Sequence, residues 1–196
     1  METNERLALG VEHYRAGRLR EAAGCFVQVL QEQPEHSDAM HLLGLAMNRM
    51  GHPEQALDLF DRVLVVEPAH APALANRSLP LRTLGRLTEA EASLHRALQA
   101  RPSFPQARVM LGQVMLARKD PEAALRAGRD ALADAPERRD AHEVVGHALL
   151  QLGRAERALP HLQSAASGGS LGALLSLVQA LLLCGQRTAA VELLVG

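Results

Sequence analysis

Apolar residues recur along this chain at helical spacing. Leu42, Leu43, Ala46 and Met47 mark one stretch, and Ala56, Leu57, Phe60 and Leu64 mark the next. Steps of three and four place such residues on one face of an α-helix. Between the two stretches lies Gly51, a residue suited to a tight turn. The pattern predicts a helix of about a dozen residues, a short turn and a second helix, with no strands.

The same unit then repeats. Pro34, Pro68, Pro102 and Pro136 are 34 residues apart. Gly10, Gly44, Gly112 and Gly146 keep that step, with Ser78 in the missing place. Gly17, Gly51, Gly85 and Gly153 keep it too, with Lys119 standing in once, and Ala22, Ala56, Ala90, Ala124 and Ala158 complete the lattice. Each series has a physical task. Proline ends a helix because it lacks a donor and disfavours helix in its predecessor. The second glycine series suits a left-handed turn. The first glycine series and the alanines let paired helices approach closely.

A period of 34 with small residues at these places resembles the tetratricopeptide repeat family. The second unit carries the resemblance most closely, with Met40, Leu43, Gly44, Met47, Gly51, Ala56, Phe60 and Pro68. The resemblance covers nearly all of the chain, which is read as one domain over 1–196 with repeats 3–36, 37–70, 71–104, 105–138 and 139–170 and a partial sixth at 171–196. It implies an all-α fold, a right-handed superhelical solenoid of antiparallel helix pairs.

Several places depart from the lattice. Pro80 falls inside the first helix of the third unit, which predicts a kink between Asn76 and Pro80. Pro160 lies near enough to the start of its helix to be tolerated. Lys119-Asp120-Pro121 replaces a turn glycine, with Asp120 as N-cap and Pro121 as first helical residue. In the sixth unit Gly185 and Ala190 follow Gly153 and Ala158 by 32, so the fifth unit has lost two residues. Its first helix is apolar nearly all round, and Val191, Leu193, Leu194 and Val195 follow without a polar capping helix. Solenoids usually end on a polar face, so Leu174, Leu175, Leu181, Leu182, Leu193 and Leu194 are expected to form a surface that something covers. A second copy of the chain, a downstream domain and a sequence cut short remain open.

Composition narrows the function classes. With 21 Lys and Arg against 22 Asp and Glu, the net charge of -1 offers no broad attraction for nucleic acid or an anionic membrane. Tyr14, Phe26, Phe60 and Phe104 are too few and too scattered for base stacking. The apolar run 171–183 is shorter than the ~20 residues a membrane span needs. Cys25 and Cys184 lie far apart in a linear array, so no internal disulfide is expected. Without a secretory signal, the expected location is cytoplasmic.

Candidate chemistry is sparse. His142 and His147 flank Glu143, but five residues turn a helix by about 140°, so the two rings do not share the face a zinc-protease motif requires. His36, His52, His70 and His95 are read as surface residues. No nucleophile, base and orienting group can be assembled at helical spacing. No catalytic residue, cofactor or metal is expected.

The family resemblance implies a concave groove lined by the first helices. The lining comprises His41, Leu45, Asn48 and Arg49, then Asn76 and Arg82, then Val109, Met110 and Gln113, and finally Glu143, His147 and Gln151. Some relatives clamp a chaperone's C-terminal carboxylate; the matching window here is His41, Leu45, Asn76, Gln106 and Met110, in which only Asn76 agrees. Asn76 also resembles the asparagines that grip peptide backbone in the arrays of protein glycosyltransferases. Three readings follow: a protein-binding scaffold for a peptide or helix of a partner, the recruiting arm of a larger glycosyltransferase, sulfotransferase or methyltransferase, and an oligomer capped through the sixth repeat.

Overall fold

A computed structural model describes residues 2–195, and every regular element among them is helical. The helices fall into two compact units, 1–102 and 103–196. The first holds α1 (Thr3–Arg15), α2 (Leu19–Glu32), α3 (Ser37–Arg49), α4 (Pro53–Val66), α5 (Ala71–Asn76), α6 (Ser78–Thr83) and α7 (Leu87–Ala100). The second holds α8 (Pro105–Ala117), α9 (Pro121–Asp134), α10 (Arg139–Gln151), α11 (Ala155–Ala166), α12 (Leu171–Leu183) and α13 (Arg187–Val195). Consecutive helices pack as pairs, and each pair packs on the next within its unit.

The lattice residues do what their chemistry predicts. α2, α4, α7 and α9 stop two residues before Pro34, Pro68, Pro102 and Pro136. Ala22, Ala56, Ala90, Ala124 and Ala158 are completely buried. A Cβ added to Gly44 would meet Phe60 Cε1 at 2.9 Å, and one added to Gly146 would meet Leu162 Cδ2 at 2.5 Å. These glycines therefore set the distance between the two helices of a pair. In the fourth repeat the large residue of the second helix is itself missing. Gly128 stands there, and Val144 and Val145 of α10 fill the space, with Val145 Cγ2 2.7 Å from where a Cβ would lie.

The turn in the fourth repeat shows how one chain closure tolerates two residue types. Gly51 closes α3 at φ 83°, and His52 N–H bonds Met47 C=O at 2.9 Å. Lys119 does the same at φ 63°, with Asp120 N–H on Met115 C=O at 2.9 Å. Asp120 then accepts from Ala123 N–H at 3.0 Å and Pro121 opens α9. Lysine in this conformation carries steric strain that glycine lacks. Lys119→Gly is therefore expected to raise stability by about 0.5–1 kcal/mol, after the extra freedom glycine has when unfolded. A urea midpoint that falls or does not move contradicts this account.

Pro80 interrupts the third repeat as its position predicts. α5 ends at Asn76, Arg77 is a turn residue, and α6 begins at Ser78. The Leu81 N–H to Arg77 C=O bond is stretched to 3.4 Å. Buried Ser78 turns its hydroxyl onto Ala75 C=O at 2.6 Å, and Ser93 Oγ of α7 donates to Leu74 C=O at 2.9 Å. Arg77 is held outside by Asp61 at 2.6 Å. Pro160, by contrast, leaves α11 continuous.

Candidate partner-binding site

In the first unit the expected lining falls on α3, α5 and α6. His41 is the centre of it. Its ring stands 5.8 Å from the Phe60 ring and 5.4 Å from the His70 ring. Burial, reinforced by His70 and opposed by Asp38, pushes its pKa down from 6.5 to about 4. The ring is thus neutral, and Asn76 Nδ2 donates to its Nε2 at 2.9 Å. This bond joins two successive repeats and holds the Asn76 amide at the end of α5. Asn48 is half-buried, and Leu45 packs against the apolar core of the unit. Arg49 is exposed and lies 4.8 Å over the Tyr14 ring, donating also to Tyr14 C=O at 3.4 Å. Arg82 is exposed on α6.

In the second unit two expectations need correction. Val109 is 0% exposed and Met110 is 4% exposed, so neither side chain can line a groove. Both are apolar residues on the face of α8 that packs inward, and Val109 joins Ala131, Ala141 and Val144 in a core cluster. Gln113, Glu143 and His147 are half-buried and Gln151 is exposed. Ser176 gives its proton to Gly172 C=O at 2.9 Å, so His147 Nε2–H donates to Ser176 Oγ at 2.6 Å. That bond links α10 to α12.

Other histidines have tasks that spacing did not reveal. His36 and His70 cap α3 and α5, accepting from Ala39 N–H at 3.4 Å and Ala73 N–H at 3.0 Å. His142 donates through Nε2 to Pro136 C=O at 3.0 Å, which leaves its Nδ1 to accept from His161 Nδ1 at 2.9 Å. Burial, then His142 and Arg129, lower the His161 pKa. His142 also lines a surface depression with Arg138, Arg139, Asp140 and Gln163 among others. Within it Arg138 is spoken for by Asp140, at 2.7 and 2.8 Å, and by Gln106. Arg138, Arg139, Asp140 and His142 are neighbours at the start of α10, whereas Gln163 and His161 come from α11.

The expected capping surface is only partly a surface. Leu181 is 6% exposed and packs inward, and Leu174 is half-buried. Leu175, Leu182, Leu193 and Leu194 are exposed, joined by Leu171, Leu183 and Val191, which were not in the predicted set. The side chain of Val195 lies outside the described residues. No helix among the described residues is long and apolar enough to cross a membrane.

Family profiles described as tetratricopeptide repeat match residues 7–72 and 42–103, 81–148, and 141–164. The chain belongs to the tetratricopeptide repeat family. Solved structures agree with this on the fold. PilW, described as a widely conserved type IV pilus biogenesis factor, superposes with a TM-score of 0.86 at 20% identity, covering 97% of this chain and 90% of its own. PilF of Pseudomonas aeruginosa gives 0.83 at 20% identity, covering 97% and 88%. A thermophilic tetratricopeptide repeat protein of Thermus thermophilus gives 0.80 at 22% identity, covering 92% and 100%. Comparison of the sequence with curated proteins finds no match. These likenesses place the tetratricopeptide chain among all-α helical-pair solenoids and concern the fold alone.

Proposed function

We propose that this tetratricopeptide chain is a non-catalytic scaffold that holds a segment of another polypeptide against the first helices of its repeats. Tetratricopeptide proteins bind other proteins, and PilW, named for a role in pilus biogenesis, is one of those this chain resembles in fold. The observation that carries the reading is the bond between Asn76 and His41. An asparagine amide offers one acceptor and two donors, which match the N–H and C=O of a peptide group. One Asn76 donor is committed to His41, and that bond fixes the plane of the amide. Its oxygen and second N–H remain for a peptide backbone. Asn48 and Arg49 on α3 and Arg82 on α6 supply polar contacts that select among side chains.

The test begins with random peptides displayed on phage and selected on the immobilised chain. Enriched peptides are then titrated against the wild type, Asn76→Ala and His41→Ala by calorimetry. Asn76→Ala is expected to weaken binding roughly tenfold, about 1.4 kcal/mol, with unchanged circular dichroism. His41→Ala should weaken it less, since it frees the amide without removing it. Peptides that bind Asn76→Ala as tightly as wild type, or a selection that enriches nothing, would overturn the proposal.

A further inference from the structure

Most of the histidines spend their ring nitrogens on the fold. His36 and His70 cap helices, His41 accepts from Asn76, and His147 is bonded to Ser176. His142 and His161 differ. Their two Nδ1 atoms face each other at 2.9 Å, one on α10 and one on α11. The ring centroids stand 5.1 Å apart and the ring planes are inclined by 40°.

The protonation of each ring follows from its partners. His142 donates from Nε2 to Pro136 C=O at 3.0 Å, so its Nδ1 holds a lone pair directed at α11. A backbone carbonyl on the far nitrogen is the usual support of a metal-ligating histidine, because it fixes both the tautomer and the ring plane. His161 has no second hydrogen bond among the described residues, so its proton is free to move from Nδ1 to Nε2. That exchange keeps the ring neutral and leaves a second lone pair beside the first. Burial, then His142 and Arg129, hold the His161 pKa below its ordinary value, which reduces competition from an added proton. Two metal–nitrogen bonds of about 2.0–2.1 Å set the nitrogens about 2.9 Å apart at a right angle and about 3.3 Å apart at the tetrahedral angle. The separation in the protein already matches the first value.

We infer that His142 and His161 form a two-histidine site for a divalent transition-metal ion that favours imidazole, of the Zn2+, Ni2+ or Cu2+ kind. The ion replaces the hydrogen bond between the rings, and the His161 proton passes through solvent from Nδ1 to Nε2. Entry is open, because His142 lines a surface depression of about 880 Å³. Glu137 and Asp140 on its rim offset Arg138 and Arg139, so the approach presents no net positive charge. No group of three His, Cys, Asp or Glu side chains able to hold a metal stands among the described residues, so water completes the coordination from the side of the depression. The bound ion would clip α11 to α10 and, through Pro136, to the turn that precedes α10. This site lies in the second unit, apart from Asn76, and stands or falls independently of the peptide reading.

The chain, stripped of metal and carrying no purification tag, is titrated with Ni2+ and with Zn2+ by calorimetry. One saturable equivalent is expected, weakened by roughly tenfold or more in His142→Gln and in His161→Gln. His95→Gln alters an exposed histidine of α7 and should bind as the wild type does, which controls for scattered surface imidazoles. Circular dichroism checks that each variant is folded. Proton–nitrogen correlation spectra of the wild-type imidazoles identify the ligating atoms without any substitution. Zn2+ should move the Nδ1 resonances of His142 and His161 together and leave the other histidines in place. A wild-type chain that takes up no stoichiometric metal overturns the inference. So does uptake that survives both substitutions or that shifts other histidines instead.

Discussion

Phe60→Ala is expected to destabilise the first unit by about 3–5 kcal/mol, the cost of emptying a fully buried aromatic site. The ring packs on the backbone of Gly44, and the core around it includes Phe26, Met40, Leu43, Leu59 and Val63. The sharper expectation concerns the partner glycine. In the wild type, Gly44→Ala drives a methyl to 2.9 Å from Phe60 Cε1, and the crowding opposes the gain of about 1 kcal/mol that alanine has over glycine inside a helix. In the Phe60→Ala background the methyl enters empty space. There Gly44→Ala should stabilise, by the helix gain and by filling part of the cavity. Urea titrations of the four proteins measure the coupling. Equal effects of Gly44→Ala in both backgrounds would show that the glycine is not there to receive the ring.

The close approach of paired helices at Gly44 was legible because that glycine recurs at one period, and periodicity converts a single position into a rule; that the approaching group is the Phe60 ring became visible only in the structure. The same reasoning reached the turn glycines, the Asp120 cap and the break before Pro80. It failed where a residue leaves its own lattice class. Val109 occupies the position of His41 and Glu143, and a family analogy that treats the position as groove lining overlooks that its side chain is apolar. The valine follows the hydrophobic effect and turns into the core. Leu181 was misplaced for the opposite reason. α12 is apolar nearly all round, broken only by Ser176 and Gln179, so its pattern does not say which leucines face in. The histidine caps and the His142–His161 bond escaped because imidazole is rarely counted among capping residues, and because partners 19 positions apart on two helices meet only after packing.

Acid should unfold the first unit through His41 more than through any surface carboxylate. The folded pKa is about 4 against an ordinary 6.5, so between those values the unfolded chain takes a proton that the native chain refuses. The native state is therefore fully favoured above about pH 6.5. Its advantage declines as pH falls toward 4, by a total on the order of 3 kcal/mol. Glu32 and Glu89, held below the usual carboxylate range by Arg6 and Arg86, also lose their partners in acid, but both are exposed surface groups and share the background of any variant. Comparing urea midpoints from pH 7.5 to 4.5 for wild type and His41→Gln isolates the imidazole. The wild type should lose stability more steeply over that range. Parallel curves would mean that His41 is protonated in the folded chain. Because the neutral ring accepts from Asn76, its protonation also forces the amide to turn over, so peptide affinity should fall over the same interval.

The break at Arg77 bears on how the first unit assembles. α5 and α6 have six residues each. A helix must fix about three residues before its first hydrogen bond forms, and a segment of six recovers little of that nucleation cost. Two such segments incur it twice. The third repeat therefore has a poor intrinsic folding free energy and stands through its interface with α4 and α7, where Ala71, Ala73, Leu74 and Leu81 are buried. In a linear array, stability is the sum of what each repeat brings and what each boundary adds. Order in this repeat is thus inherited from its neighbours, which makes the segment before Pro80 a place where cooperativity, rather than local helix propensity, keeps the chain folded.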